Sequence, residues 1–212
     1  MTAHVTLGLP HFLFFVFLGF GVIAALRATV ETTVRGWVGR RVAGEAIRTL
    51  LQDLVSRIRT PNVTDVRLRC NVMKLAGGSL RVLASAGGAM TEDERATEWL
   101  ASGQHWQGGC GLAVHERKPV VLDLADWQRR PYEDILHDDR QPRWGLTEEQ
   151  WNRTASVGSV ISVPLMRRER VLGVLNIDAP IGLRSWLPQE REDDLLDRMH
   201  SVSGVLALLL EL

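Results

Sequence analysis

The 212-residue chain has few cysteines and no excess of charge of either sign. Cys70 and Cys110 cannot build a disulfide framework, so a disulfide-rich secreted scaffold is excluded and a reducing compartment is favoured. The 25 basic and 25 acidic residues cancel, which leaves no global field to attract nucleic acid, and no nucleic-acid partner is predicted. The 45% of apolar residues and 24% of charged residues are typical of a globular chain.

Several motifs that carry nucleotide or metal chemistry are also missing. The stretch GGCG at 108–111 is too short for a Walker loop, and no Gly-Lys-Ser or Gly-Lys-Thr follows it. His137, Asp138 and Asp139 are adjacent in sequence and therefore cannot all face one point on a helix. The sequence accordingly predicts no metal site and identifies no cofactor.

The one long uncharged run lies at the N-terminus, over residues 5–26, and has about the ~20 residues that a membrane-spanning helix needs. No Lys or Arg precedes the run, whereas four arginines follow it within residues 27–41. The positive-inside rule then places the N-terminus outside and the body in the cytoplasm. We predict a single-pass anchor over residues 1–27 in the inner or cell membrane. A cleaved signal peptide and a buried helix remain as alternatives.

Two amphipathic helices bracket the body of the chain. Apolar residues at three- and four-residue steps predict a linker helix over 28–44 and a first domain helix over 45–59, which Pro61 ends. A similar stripe predicts a helix over 188–210, with acidic residues in its first turns. The helices over 45–59 and 188–210 each have a larger apolar face than packing against one side of a sheet requires. We therefore expect both to pair with their copies in a parallel homodimer.

Between these helices the sequence predicts an antiparallel sheet. Strands are expected at 66–75 and 79–87, joined by a turn at Gly77 and Gly78, and at 119–124, followed by a hairpin over 160–180 with a charged turn. The alternation in the first strand puts Cys70 and Asn71 on opposite faces. Hairpins with helices at the termini and in the middle indicate an α+β domain.

Three motifs, in their order along the chain, resemble those of the GAF domain: GGCGLAVHERKPVVLDL, SVPL and GVLNID. The resemblance covers roughly residues 45–210, and we assign the domain to residues 45–212. The resemblance implies a GAF/PAS-like six-stranded antiparallel sheet, with terminal helices on one face and a ligand pocket on the other. Gly173 would then allow a close approach of the backbone that a side chain would obstruct.

GAF domains bind cyclic nucleotides, tetrapyrroles, haem, small metabolites or nothing known, and many dimerise. The Asn-Lys-Phe-Asp-Glu signature of the cyclic-nucleotide-binding members is absent, and neither cysteine has the neighbouring His of a tetrapyrrole site. Cys110 matches one cysteine of the free methionine-R-sulfoxide reductases, which are GAF enzymes whose chemistry needs at least two thiols near one pocket. The other cysteines of that family are missing, so we predict that Cys110 is structural and that the chain has no catalytic residues.

Four tryptophans lie around the loops that close a GAF pocket, at positions 106, 127, 144 and 151. Such rings suit the lining of a ligand site, and they equally suit the filling of a hollow that binds nothing. Ser162 is a further polar group that we expect near the pocket. The predicted ligand-binding residues are Trp106, Cys110, Asp123, Trp127, Trp151, Thr154, Ser159 and Asn176.

The sequence therefore predicts a membrane-tethered sensory or regulatory protein. It would bind a cytosolic small molecule and signal through dimeric terminal helices, either to a downstream protein partner or by changing its own assembly. One alternative is a dimerisation scaffold at the membrane with no ligand. A redox enzyme like the free methionine-R-sulfoxide reductases is the other.

Overall fold

The computed structural model describes residues 38–39, 41–58, 66–103, 105–127, 130–136 and 145–211. The chain divides into two compact units, residues 1–42 and residues 43–212, and the second unit holds the sheet. The predicted anchor and most of the linker helix lie outside the described residues. Within the described part of the chain, no helix is both long and apolar enough to cross a bilayer.

Seven antiparallel strands form the sheet in the described residues, in the order β4-β3-β2-β1-β7-β6-β5. The resemblance implied six strands, and the short pair β3 and β4 was not predicted. The predicted α+β fold with an antiparallel sheet is confirmed. The strands are β1 (Arg69–Ala76), β2 (Ser79–Gly87), β3 (Trp99–Ser102), β4 (His105–Trp106), β5 (Val120–Asp123), β6 (Ser159–Arg167) and β7 (Arg170–Ala179).

The helices are found at both ends of the domain and between the strands. Helix α1 covers residues 41–58, and the C-terminal helix begins at Glu192, four residues later than predicted, because a 3-10 turn over Gln189–Arg191 precedes it. The segment 126–158, which lacks strand alternation, contains two short helices. The remaining helices are α2 (Glu92–Ala96), α3 (Gly108–Glu116), α4 (Tyr132–Leu136), α5 (Glu148–Thr154), α6 (Leu183–Trp186) and α7 (Glu192–Leu209).

One face of the sheet packs against the terminal helices. Alternate residues of the strands point to this face and join residues of α1 and α7 in a single core. Full burial of one such aliphatic side chain stabilises the fold by roughly 1.5–3 kcal/mol. The core includes Ile47, Leu51 and Leu54 of α1, Cys70 and Val72 of β1, Leu175 and Ile177 of β7, and Met199 and Leu206 of α7.

The β1–β2 and β6–β7 hairpins turn in different ways. Gly77 and Gly78 have φ of +59° and +81°, as a two-residue turn between twisted strands requires, and this predicted turn is confirmed. The turn between β6 and β7 instead uses Arg168 and Glu169, with φ of +45° and +66°. Gly173 is a close approach as predicted, since a Cβ there would lie 2.1 Å from the Met73 carbonyl oxygen.

Candidate functional site

A cavity lies on the face of the sheet opposite to α1 and α7, as the GAF resemblance implies. Its volume is about 870 Å³ when the open mouth and its solvent are included, and the space in which a water molecule can be centred is about 110 Å³. Strands β1, β2, β5, β6 and β7 contribute to its floor and walls, together with α2, α5 and the first turn of α3. Apolar and aromatic side chains form most of the lining, including Met73, Val82, Trp99, Leu122, Trp151 and Val160.

A row of polar side chains crosses the sheet on the cavity face. Asn176 on β7 lies directly opposite Asn71 on β1 and Ser162 on β6. The Asn176 amide nitrogen Nδ2 donates to Asn71 Oδ1 at 3.3 Å and to the Met73 sulfur at 3.1 Å. Asn176 Oδ1 and Ser162 Oγ are buried and have no hydrogen-bond partner among the described residues. A buried polar group left unpaired costs about 1–3 kcal/mol, so this row favours a bound partner.

An ionic cluster flanks the polar row. Arg69 Nε donates to Asp178 Oδ1 at 2.6 Å, and the Arg69 Nη1 atom donates to Glu94 Oε1 at 2.6 Å. Burial would raise the pKa of Glu94, but hydrogen bonds and the charge of Arg69, with the Thr91 backbone N–H, hold that pKa below its usual value. Burial also raises the pKa of Asp178, and Arg69 opposes the rise. The cluster ties α2, at the mouth of the cavity, to the centre of the sheet.

Helix α5 is fixed over the cavity by hydrogen bonds. Thr147 and Gln150 form a capping box at its start. Gln150 Nε2 also donates to the Glu98 carbonyl at 2.8 Å and to Gln107 Oε1 at 2.9 Å. Arg153 donates to Thr97 Oγ1 at 2.9 Å and pairs with Glu149. These contacts hold Trp151 and Thr154, from the same helix, in the lining.

Cys110 lies in the first turn of α3, at the cavity wall. It is 6% exposed and packs with Met73 and Val174. Its thiol donates to the Gln107 carbonyl across 3.6 Å, a weak contact. Burial raises the pKa of the Cys110 thiol to about 12, although backbone N–H groups of the helix start act in the opposite direction. The thiol is therefore protonated near neutral pH.

Four of the eight predicted site residues line the cavity, and four do not. Two of the excluded residues are tryptophans. Trp106 stacks on His115, with 6.4 Å between ring centroids, and Trp127 packs beside the cavity wall in a cluster with Trp151. Trp144 lies outside the described residues. The residues brought together are Cys110, Trp151, Thr154 and Asn176.

The other two excluded residues are polar. The Ser159 hydroxyl donates to the Ile181 carbonyl at 2.9 Å and accepts from Trp186 Nε1 at 2.8 Å. The alternation of β6 explains why Ser159 faces away from the cavity: Ser159 and Ser162 are three positions apart on the strand and must face opposite sides of the sheet. The Asp123 carboxylate accepts from the Ala125 backbone N–H at 3.2 Å, where β5 ends.

Sequence reasoning missed several lining residues that strand periodicity could have found. Asp178 lies two residues after Asn176 on β7, and therefore shares its face. Asn71 and Arg69 belong to the half of β1 that alternation had already set opposite to Cys70. Glu94 and Trp99 are different, because only the fold brings α2 and β3 to the cavity. In the described part of the chain, no group of three acidic, His or Cys side chains is placed to bind a metal ion.

A family model for the GAF domain matches residues 45–197. The chain belongs to the GAF family. GAF domains typically act as regulatory modules that sense small molecules. No functionally curated protein shows significant sequence similarity to this chain.

Solved structures with the same fold include an enzyme and two further GAF domain proteins. The type II free methionine-R-sulfoxide reductase of Thermoplasma acidophilum is 19% identical, with a TM-score of 0.53 over 81% of this chain and 94% of that one. The GAF domain region of a proposed membrane protein of Geobacter sulfurreducens is 15% identical, with a TM-score of 0.52 over 83% and 98%. A GAF domain/HD domain protein of the same organism is 16% identical, with a TM-score of 0.52 over 80% and 92%. At these identities the likeness extends to the fold alone.

Proposed function

We propose that this protein is a membrane-tethered sensor whose GAF domain binds a small molecule in the cavity on the sheet. The observation that carries the proposal is Asn176 Oδ1, a buried atom of a lining residue that has no hydrogen-bond partner in the described part of the chain. A hollow that only needed filling would be stabler with an apolar side chain at this position. A ligand that pairs with this oxygen removes the cost of leaving it unsatisfied.

The same strands connect the cavity to the terminal helices. Asn176 faces the cavity, and its neighbours Leu175 and Ile177 pack in the core with α1 and α7. A ligand that shifts β7 would therefore alter the packing of both helices. We propose that these helices form the interface of a homodimer at the membrane, with residues 1–27 as its anchor and a downstream protein as one route of output.

The alternative of a reductase is favoured by one observation, the fold shared with the Thermoplasma acidophilum enzyme. The site itself argues against thiol chemistry. Both cysteines are buried, and burial raises the pKa of each thiol, that of Cys110 to about 12. A protonated thiol is a poor nucleophile, so we propose a binding role for the cavity and no catalytic role for Cys110.

Native mass spectrometry of the detergent-extracted full chain tests the sensor proposal. We expect a co-purified small molecule on the wild type and its loss from Val82→Trp, because Val82 lines the cavity and an indole there would fill it. Leu83→Trp is the matched control, since Leu83 is the next residue of β2 and is 48% exposed. A wild type without any bound molecule, or equal retention by both variants, would contradict ligand binding in this cavity.

Sedimentation equilibrium of the same preparation tests the homodimer. Val205 and Leu208 are exposed apolar residues of α7, at 46% and 52% exposure. We expect Val205→Glu with Leu208→Glu to weaken the dimer at least tenfold, because two charges would be buried in an apolar interface. Leu100→Glu, at an exposed position of β3, should leave assembly unchanged. A wild-type monomer at high micromolar concentration would rule out the dimer.

A further inference from the structure

We propose that the cavity takes a neutral molecule with an apolar body and an N–H or O–H group that donates a hydrogen bond to Asn176 Oδ1. This inference rests on the proposed sensor function and names the class of ligand that the site selects. It is carried by the fixed orientation of the polar row and by the pairing of the charges around it.

The orientation of the Asn176 amide follows from a chain of hydrogen bonds that begins at Arg69. The Arg69 guanidinium holds Asp178 through Oδ1 at 2.6 Å, and Asp178 Oδ2 accepts from the Asn71 amide nitrogen at 3.5 Å. Asn71 therefore presents its oxygen to Asn176, whose amide nitrogen donates to it at 3.3 Å. A flipped Asn176 would set two acceptor oxygens against each other. The amide oxygen is thus the atom left for a ligand, and an oxygen accepts only.

The charges of the lining are already paired. Arg69 is neutralised by Glu94 and Asp178, and Arg153 pairs with Glu149. Each of the four charged side chains among the described lining residues therefore already contacts a group of opposite charge. A ligand with a net charge would enter this site without a free counter-charge, and burying an unpaired charge is costly. A neutral ligand avoids that cost.

The rest of the lining accommodates an apolar, flat body. Aromatic rings come from two directions, Trp99 on β3 and Trp151 on α5, and aliphatic side chains of β5 and β6 complete the walls. Ser162 lies opposite Asn176 on the neighbouring strand but is not one of the lining residues, so the acceptor offered to a ligand is Asn176 Oδ1.

Methyl NMR of the full chain in detergent, labelled at its five methionines, tests the inference with defined probes. Met73 and Met90 line the cavity, whereas Met199 lies in the core on the other face of the sheet and reports on the packing of α7. The probes are indole, its donor-less partner 1-methylindole, the anion indole-3-acetate, the cation tryptamine and the zwitterion methionine sulfoxide. Affinities are taken from the shifts of the two cavity methyls, which excludes binding to the micelle.

We expect indole to shift Met73 and Met90 and to bind about 5- to 10-fold tighter than 1-methylindole, the scale of one hydrogen bond. The preference should fall to about onefold in Asn176→Leu and in Asn176→Ala, so that two variants guard against a folding defect in one.

Three results would overturn the inference, and they differ in what they mean for the sensor. Equal affinity of indole and 1-methylindole in the wild type removes the donor requirement, and tighter binding of a charged or zwitterionic probe removes the neutral class. In both cases a binding cavity remains. Shifts of neither cavity methyl with any probe contradict the inference and the sensor function together.

Discussion

The Cys110 thiol should react slowly with disulfides in the folded protein. Burial raises its pKa from the ordinary 9.0 to about 12, a difference of three units, so the thiolate fraction near neutral pH falls about 1,000-fold. The intrinsic nucleophilicity of a thiolate increases with its pKa, with a Brønsted slope of about 0.4–0.5, and this raises the expected rate by a factor of roughly 20. The net expectation is a rate about 50-fold lower than that of an unperturbed thiol, and limited access would lower it further.

The assay exposes the protein to 2-hydroxyethyl disulfide, which is small and neutral, between pH 7 and 10. Peptide mass spectrometry then follows the mixed disulfide at Cys110 separately from that at Cys70. The protein unfolded in guanidinium chloride supplies the unperturbed rate for the same two thiols. The folded rate should still rise tenfold per pH unit at pH 10, because the thiol is far from its titration midpoint.

A folded rate within a few-fold of the unfolded one, with a plateau between pH 7 and 9, would refute the reasoning. It would mean that Cys110 is a reactive thiolate. Turnover of free methionine-R-sulfoxide with excess dithiol, lost in Cys110→Ala, would then establish the reductase alternative. The same variant should otherwise cost only about 1 kcal/mol of stability and leave ligand binding nearly intact.

Three further predictions concern the fold, and each is tested by urea unfolding. Gly173→Ala should destabilise the fold by roughly 3 kcal/mol, because its Cβ would meet a backbone carbonyl at 2.1 Å. Gly204→Ala, in open space on α7, should instead stabilise the fold by about 0.5–1 kcal/mol. Equal effects of the two substitutions would contradict the close approach at Gly173. Arg168→Asn with Glu169→Gly should stabilise by about 1 kcal/mol, since both positions have positive φ, and a loss of stability would show that the charged turn has another role. The pKa of Glu94 is lower in the folded state than its ordinary 4.5, so the unfolded chain binds more protons and stability should fall with acidification below about pH 4.5. Glu94→Gln should fall less steeply over pH 3–6, with Asp178 present in both proteins, and parallel curves would contradict the pairing.

Strand periodicity and turn chemistry allowed much of the fold to be predicted. The alternation of β1 and the Gly77–Gly78 turn read directly from sequence, because each depends on residues only two or three positions apart. Strands β3 and β4 were not predicted, because they have four and two residues, too few for the alternation of apolar and polar side chains to be visible. The position of the ligand pocket, on the face of the sheet opposite to the terminal helices, came from the GAF resemblance and from no local signal.

The candidate site was less predictable, since it depends on which residues the fold brings together. Asn176 and Thr154 lie in the lining, whereas Ser159 faces the core and Trp127 packs in a cluster with Trp151. The position of Glu94 is set by its ion pair with Arg69, 25 residues earlier in the chain. No pattern within one element predicts such a contact, because it is decided by the packing of α2 on the sheet.

On the two central strands, even-numbered and odd-numbered positions face opposite sides of the sheet. On β7 the even positions 174, 176 and 178 reach the cavity side and the odd positions 175 and 177 reach the terminal helices, and on β1 the parity is reversed. The ligand preference can therefore be changed by substitutions at the cavity-facing positions, without any substitution in the core that packs against the helices. Because adjacent residues share a peptide unit, any backbone displacement that a ligand imposes on one set is carried over a single Cα–Cα step to the other.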